Sequence, residues 1–127
     1  MLKENICTDL SQALRREWLE TNGLGGYASS TIVCCHTRKY HGLLVANLDE
    51  PGGRFVLLSK CEDSIVIDDR EYFLSIHKYP LAYHPENDNY LKEYSQEIAP
   101  HFTFHKGDAV LHKELMLLPE ENTLLIR

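Results

Sequence analysis

A glycine-dense bend, Asn22-Gly23-Leu24-Gly25-Gly26, runs directly into Tyr27-Ala28-Ser29-Ser30-Thr31-Ile32-Val33, and no other stretch limits the fold as much. Glycine admits backbone conformations that other residues avoid, so the bend can be tight. The small and β-branched residues after it favour an extended strand over a helix. Gly23 to Ala28 also matches the spacing Gly-x-Gly-x-x-Ala, which in a dinucleotide fold sets a pyrophosphate on a helix N-terminus. That chemistry requires a buried parallel strand before the glycines and a helix after them. Arg15-Arg16-Glu17-Trp18-Leu19-Glu20 is not such a strand, and Ser29-Ser30-Thr31-Ile32-Val33 opens a helix poorly. The bend therefore reads as a turn between two strands.

The rest of the chain repeats this logic. Ser30–Cys35, Gly42–Leu48, Arg54–Lys60, Ser64–Ile67, Tyr72–Ile76, His101–His105, Val110–Leu118 and Asn122–Ile126 read as strands. Pro51-Gly52-Gly53, Asp68-Asp69-Arg70-Glu71 and Lys106-Gly107-Asp108 read as the turns between neighbours. Asp9–Arg16 is the one helical segment expected, with Thr8 or Asp9 as its cap. Tyr79–Tyr90, rich in Pro, Asn and Asp, reads as a surface loop. Turn signals every ~8–12 residues predict an all-β, mainly antiparallel fold, a β-sandwich with a short N-terminal helix. At 127 residues, residues 1–127 form a single β-rich domain. Thr123–Arg127 stops in what reads as mid-strand, as a truncated portion of a larger domain would and as a short native C-terminal edge strand also would, truncation being the favoured expectation.

Charge and composition narrow the partners. A net charge of −6 repels phosphate backbones, so no nucleic acid and no anionic membrane is expected. No run approaches the about 20 apolar residues of a membrane span. The N-terminus lacks the apolar core of a signal peptide, which makes a cytoplasmic location the expectation. Cys7, Cys34, Cys35 and Cys61 show no disulfide-framework spacing and read as reduced thiols.

Few constellations carry chemistry. His36 and His41 lack the accompanying Cys pair of a structural zinc site, so no metal and no cofactor is expected. With Ile32–His36 extended, Cys34 and His36 would share one face and Cys35 the other. No Gly-x-Ser-x-Gly elbow accompanies Ser29, Ser30 and His41. No signature selects a pair of carboxylates for glycosidic chemistry from the nineteen acids. Thr37-Arg38-Lys39-Tyr40-His41-Gly42 remains. Read as extended, it places Arg38, Tyr40 and Gly42 on one face and Thr37, Lys39 and His41 on the other. Arg38 then either pairs with an acid such as Glu17 or Glu62 beneath Tyr40, or meets a ligand directly.

"EWLETNGLGGYASS" (17–30), "TRKYHGLLVA" (37–46) and "VLLSK" (56–60) resemble the N-terminal domain of the bacterial and archaeal glycogen debranching enzymes, the amylo-α-1,6-glucosidases. The ordered match spans most of residues 8 to 75; residues 76 to 127 match in character, through strands and the "PEENTLLIR" ending. The resemblance implies a β-domain of the supersandwich type, followed in family enzymes by an α/α barrel that carries the catalytic acids. No catalytic residue is thereby assigned in this chain, which has no room for the barrel. By the same resemblance, Asn22, Gly23, Gly25, Gly26, Tyr27, Thr37, Arg38, Tyr40, His41 and Gly42 are the candidates for a substrate cleft or domain interface. Implied partners are the barrel, glycogen or maltooligosaccharide. Two other readings stand beside it. One is a free-standing carbohydrate-binding sandwich with Trp18 and tyrosines as a stacking platform. The other is an assembly module that forms homo-oligomers, in particular symmetric dimers, through exposed strand edges.

Overall fold

A computed structural model describes residues 1–79, 81–84 and 89–127. Two four-stranded antiparallel sheets dominate. The first is a meander of β1 (Glu17–Thr21), β2 (Tyr27–Thr31), β3 (Gly42–Leu48) and β4 (Gly53–Leu58), in that order. Two hairpins follow: β5 (Ser64–Ile67) with β6 (Arg70–Phe73), and β7 (His77–Tyr79) with β8 (Ala82–His84). The second sheet is another meander, of β9 (Leu91–Gln96), β10 (Pro100–Lys106), β11 (Ala109–Leu117) and β12 (Leu124–Ile126). Each strand in these ladders pairs with its neighbour in sequence. The expected all-β sandwich-like architecture is thus the observed one.

The core lies between the sheets. Trp18 of β1 is 2% exposed and meets Phe102 of β10 edge-on, with ring centroids 6.3 Å apart. Its indole N–H donates to the Thr31 carbonyl at 3.1 Å, so burial leaves no polar atom unsatisfied there. Ala28, Leu43, Tyr94, Phe104 and Leu115 join the same cluster. Lys113, buried on β11, pairs with Asp63 and ties the segment before β5 to the second sheet.

Turn chemistry explains the hairpins. Asp68 and Asp69 both adopt positive φ (49° and 62°), so β5 and β6 join through two residues rather than four. Aspartate tolerates that conformation better than most residues, and its sense matches strand twist. Gly107 (φ 58°) plays the equivalent part between β10 and β11.

Several expectations are corrected. The expected Asp9–Arg16 helix is shorter, α2 (Leu10–Ala13), with Asp9 capping it through the Gln12 amide, and a second short helix, α1 (Glu4–Cys7), precedes it. The strand expected over Ser30–Cys35 ends at Thr31. Cys34 turns the chain at φ 57°, and the Thr31 hydroxyl closes the turn on both the amide and the carbonyl of Cys35. The period-two argument for Cys34 and His36 therefore has no strand to act on. Within the expected loop over Tyr79–Tyr90, β7 and β8 pair from His77↔His84 to Tyr79↔Ala82. Positions 80 and 85–88 of that loop lie outside the described residues. Strand β9 carried no clear alternation and was not anticipated.

All four cysteines are free thiols, three of them buried; burial pushes the Cys34 thiol up to about 11. Among the described residues, no helix is long and apolar enough to cross a membrane.

Candidate functional site

A groove of about 670 Å³ lies against the first sheet, lined by Glu17, Trp18, Leu19, Tyr27, Ser29, Tyr40, His41 and Arg54. Strand register assembles it. Leu19 pairs with Ser29 across β1 and β2, and Thr21 with Tyr27, so period-two alternation puts Leu19, Tyr27 and Ser29 on one face. Tyr40, 52% exposed, comes from the segment between β2 and β3, and Arg54 from β4.

Glu17 organises one wall. Its Oε1 accepts from Arg38 Nε at 2.5 Å and from His41 Nε2 at 2.8 Å. The other ring nitrogen of His41 accepts from the backbone N–H groups of Thr37 (3.1 Å) and Arg38 (3.4 Å). These partners select one neutral tautomer, protonated on Nε2. His41 is only 4% exposed and both its nitrogens are engaged, so it serves as a rivet and not as a free base. The Arg38 hydrogen bond is the main reason that the Glu17 carboxyl is held below its ordinary range.

This corrects the extended reading of residues 37–42. Arg38 to His41 is a turn closed by His41 N–H to the Arg38 carbonyl (3.1 Å). Two side chains that alternation assigns to opposite faces thereby converge on one carboxylate. Of the partners considered for Arg38, Glu17 is the one that it meets.

The glycine bend has a different task. Asn22, 2% exposed, uses every polar atom of its amide. Its Oδ1 accepts from Leu24 and Gly26 N–H at 2.9 and 3.1 Å; its Nδ2 donates to the Glu121 carbonyl and to Asn122 Oδ1, both at 3.0 Å. From outside, Asn47 Nδ2 holds the Leu24 carbonyl at 3.1 Å and Arg54 Nε the Gly25 carbonyl at 2.8 Å. A Cβ on Gly26 would sit 2.8 Å from the Asn22 amide and 3.0 Å from the Val45 carbonyl, so no larger residue fits that strand crossing. Gly25 adds a positive φ of 84°. The bend thus joins two antiparallel strands, which removes the dinucleotide reading.

The ten sequence candidates therefore divide. Tyr27, Tyr40 and His41 line the groove. Arg38 and Thr37 fix His41 and Glu17 from behind. Gly42 allows close packing, since a Cβ there would meet Val45 Cγ2 at 2.8 Å. Asn22, Gly23, Gly25 and Gly26 form the bend preceding Tyr27 and do not line the groove. The two halves of the motif are joined by Tyr27 Oη donating to the Tyr40 carbonyl at 2.7 Å. Leu19, Ser29 and Arg54 reach the groove only through strand pairing; alternation within β1 and β2 is the one sequence signal for Leu19 and Ser29, and Arg54, on β4, has none. Trp18 is in the core, which removes the stacking platform once expected of it.

His36 is no ligand either. Its Nε2 donates to the Ser59 carbonyl at 2.6 Å, its Nδ1 accepts from Ser30 at 2.9 Å, and burial lowers its pKa. Ser30 is wholly buried, so this serine–histidine pair meets no substrate.

No curated protein and no solved structure matches the chain. The family model described as glycogen debranching enzyme N terminal matches residues 16–127, which takes the likeness well past residue 75 and through the second sheet. With that match over most of its length, the chain belongs to the glycogen debranching enzyme N-terminal domain family.

Proposed function

We propose that this chain is the non-catalytic N-terminal portion of a cytoplasmic glycogen debranching enzyme, in which it supports the α/α barrel and lends its groove to the α-glucan cleft. The parent activity is hydrolysis of α-1,6-glucosidic branch points. The groove carries this reading. Tyr27 and Tyr40 offer aromatic faces suited to sugar rings, and Ser29 and Arg54 offer hydrogen-bonding groups beside them. Glu17 is the one carboxylate among the lining residues, and it is committed to Arg38 and His41. Glycosidic cleavage ordinarily needs two carboxylates flanking the bond, so the chemistry falls to the barrel.

The test uses the chain alone and the complete enzyme. The chain alone is expected to release no glucose from a branched dextrin; release would overturn the non-catalytic role. In the complete enzyme, Tyr40→Ala is expected to raise KM about 3–10-fold with kcat nearly unchanged, the size of one lost aromatic contact. An unchanged KM would remove the groove from the substrate path.

A second reading concerns β4. It lies at the end of its sheet, and Phe55, Val56 and Leu57 are 39%, 53% and 55% exposed, so both of its faces are apolar and uncovered. An open apolar edge favours association. The isolated chain is expected to form symmetric dimers in light scattering, and a monodisperse monomer at high concentration would contradict this.

A further inference from the structure

The outward face of the second sheet carries a cluster that the groove does not use. Strand register sets Glu93, Thr103 and His112 in one row, and Ser95, His101 and Glu114 in the next. His101 Nδ1 lies 3.0 Å from Glu114 Oε1. An ionised carboxylate only accepts, so that nitrogen carries the proton and Nε2 of the neutral ring keeps its lone pair. Nε2 in turn lies 3.3 Å from His112 Nδ1, which is also 3.1 Å from the Thr103 hydroxyl.

That spacing has a chemical meaning. Two imidazole nitrogens bound to one tetrahedral ion at ~2.0–2.1 Å stand about 3.3–3.4 Å apart. The two rings are thus already separated as ligands of a shared ion are. In the metal-free protein a hydrogen bond from His112 Nδ1–H to His101 Nε2 spans the gap; for an incoming ion His112 changes tautomer, Nδ1 giving up its proton to solvent while Nε2 takes one from it, so both ligating rings stay neutral. Glu114 stands where carboxylates hold metal-binding imidazoles, on the nitrogen turned away from the ion. It is itself anchored by Arg127 Nε at 2.5 Å. Beside the pair is an open cavity of about 280 Å³, lined by Met1, Glu93, Ser95, Glu97, His101, Thr103 and His112. It admits hydrated ions, and the carboxylate of Glu97 favours cations there, while that of Glu93 is paired with the Lys3 ammonium at 2.7 Å. Among the described residues no three His, Cys, Asp or Glu side chains converge, so water completes the coordination.

We propose that His101 and His112 form a two-imidazole site for a divalent first-row transition-metal ion such as Zn²⁺, Ni²⁺ or Cu²⁺, with Glu114 as the positioning residue behind His101. Imidazole nitrogens select this class over Mg²⁺ and Ca²⁺, which prefer oxygen ligands. The site is independent of the groove and of the function proposed for it.

Calorimetric titration of the untagged chain with Ni²⁺ at mildly alkaline pH tests the proposal. Ni²⁺ is chosen because imidazole suits it, whereas Zn²⁺ would also report on the half-buried thiol of Cys61. One ion per chain is expected. His101→Gln and His112→Gln should each weaken binding by about tenfold or more, and Glu114→Gln, which leaves both ligands in place, by about tenfold. His105→Gln, on the same strand but outside the pair, should leave binding unchanged. Circular dichroism establishes that each variant is folded. Absence of binding to the folded parent chain, or equal binding by parent, His101→Gln and His112→Gln, would overturn the site. Equal binding by Glu114→Gln would overturn the role given to Glu114.

Discussion

Asn22→Ala should lower the unfolding free energy by about 3–4 kcal/mol, read from the midpoint of a urea titration with the slope unchanged. The side chain makes four hydrogen bonds from a buried position, two to the glycine bend and two to the loop between β11 and β12. Alanine supplies none of them and leaves the buried Gly26 N–H unpaired, which costs more than the net value of that bond itself. Asn22→Asp discriminates further. It keeps an acceptor for Leu24 and Gly26 but turns a second oxygen toward the Glu121 carbonyl and Asn122 Oδ1, so it should be at least as damaging. A loss below about 1 kcal/mol in both variants would show that the bend holds without its asparagine.

His41→Ala should cost about 2–4 kcal/mol in the same measurement. The substitution removes a buried ring, deprives Thr37 and Arg38 of their acceptor, and frees Glu17 from one of its two partners. Glu17→Gln should cost less than about 1 kcal/mol, because its oxygen still accepts from His41 and the lost ion pair with Arg38 is solvent-exposed. The order of the two variants is the test: equal losses would mean that the charge of Glu17, and not the rivet, holds the wall. Acid should act on the same knot. Because the folded-state pKa of Glu17 is depressed, its contribution is complete above the ordinary carboxyl value of 4.5 and disappears as pH falls through the lower folded value. The stability difference between parent and Glu17→Gln should therefore shrink below that pH.

Much of the architecture was legible because each ladder joins strands adjacent in sequence. Turn chemistry and alternation are local signals, and in a meander they suffice to set which strand follows which. Gly42–Leu48 was read to the residue, and the Asp68-Asp69 and Gly107 turns lie where composition put them. Local signals failed where a tertiary contact overrode preference. Ile32 and Val33 favour a strand, yet the Thr31–Cys35 turn buries both in the core. Residues 37–42 favour an extended path, yet the closed turn lets Arg38 and His41 share Glu17.

Sequence alone determined that Gly23 to Ala28 is a bend into a strand, that the fold is antiparallel β, and that the motif pair resembles one family. Those properties depend on backbone freedom, β-propensity and residue identity, which are carried locally. Only tertiary structure decided what each motif residue does: Asn22 staples the bend to the far end of the chain, His41 rivets Glu17, and Trp18 fills the core and not a sugar platform. It alone brought Leu19, Ser29 and Arg54 to the groove and set His101 beside His112. Such placements depend on cross-strand register and on burial between sheets, and neither quantity exists until distant segments pack.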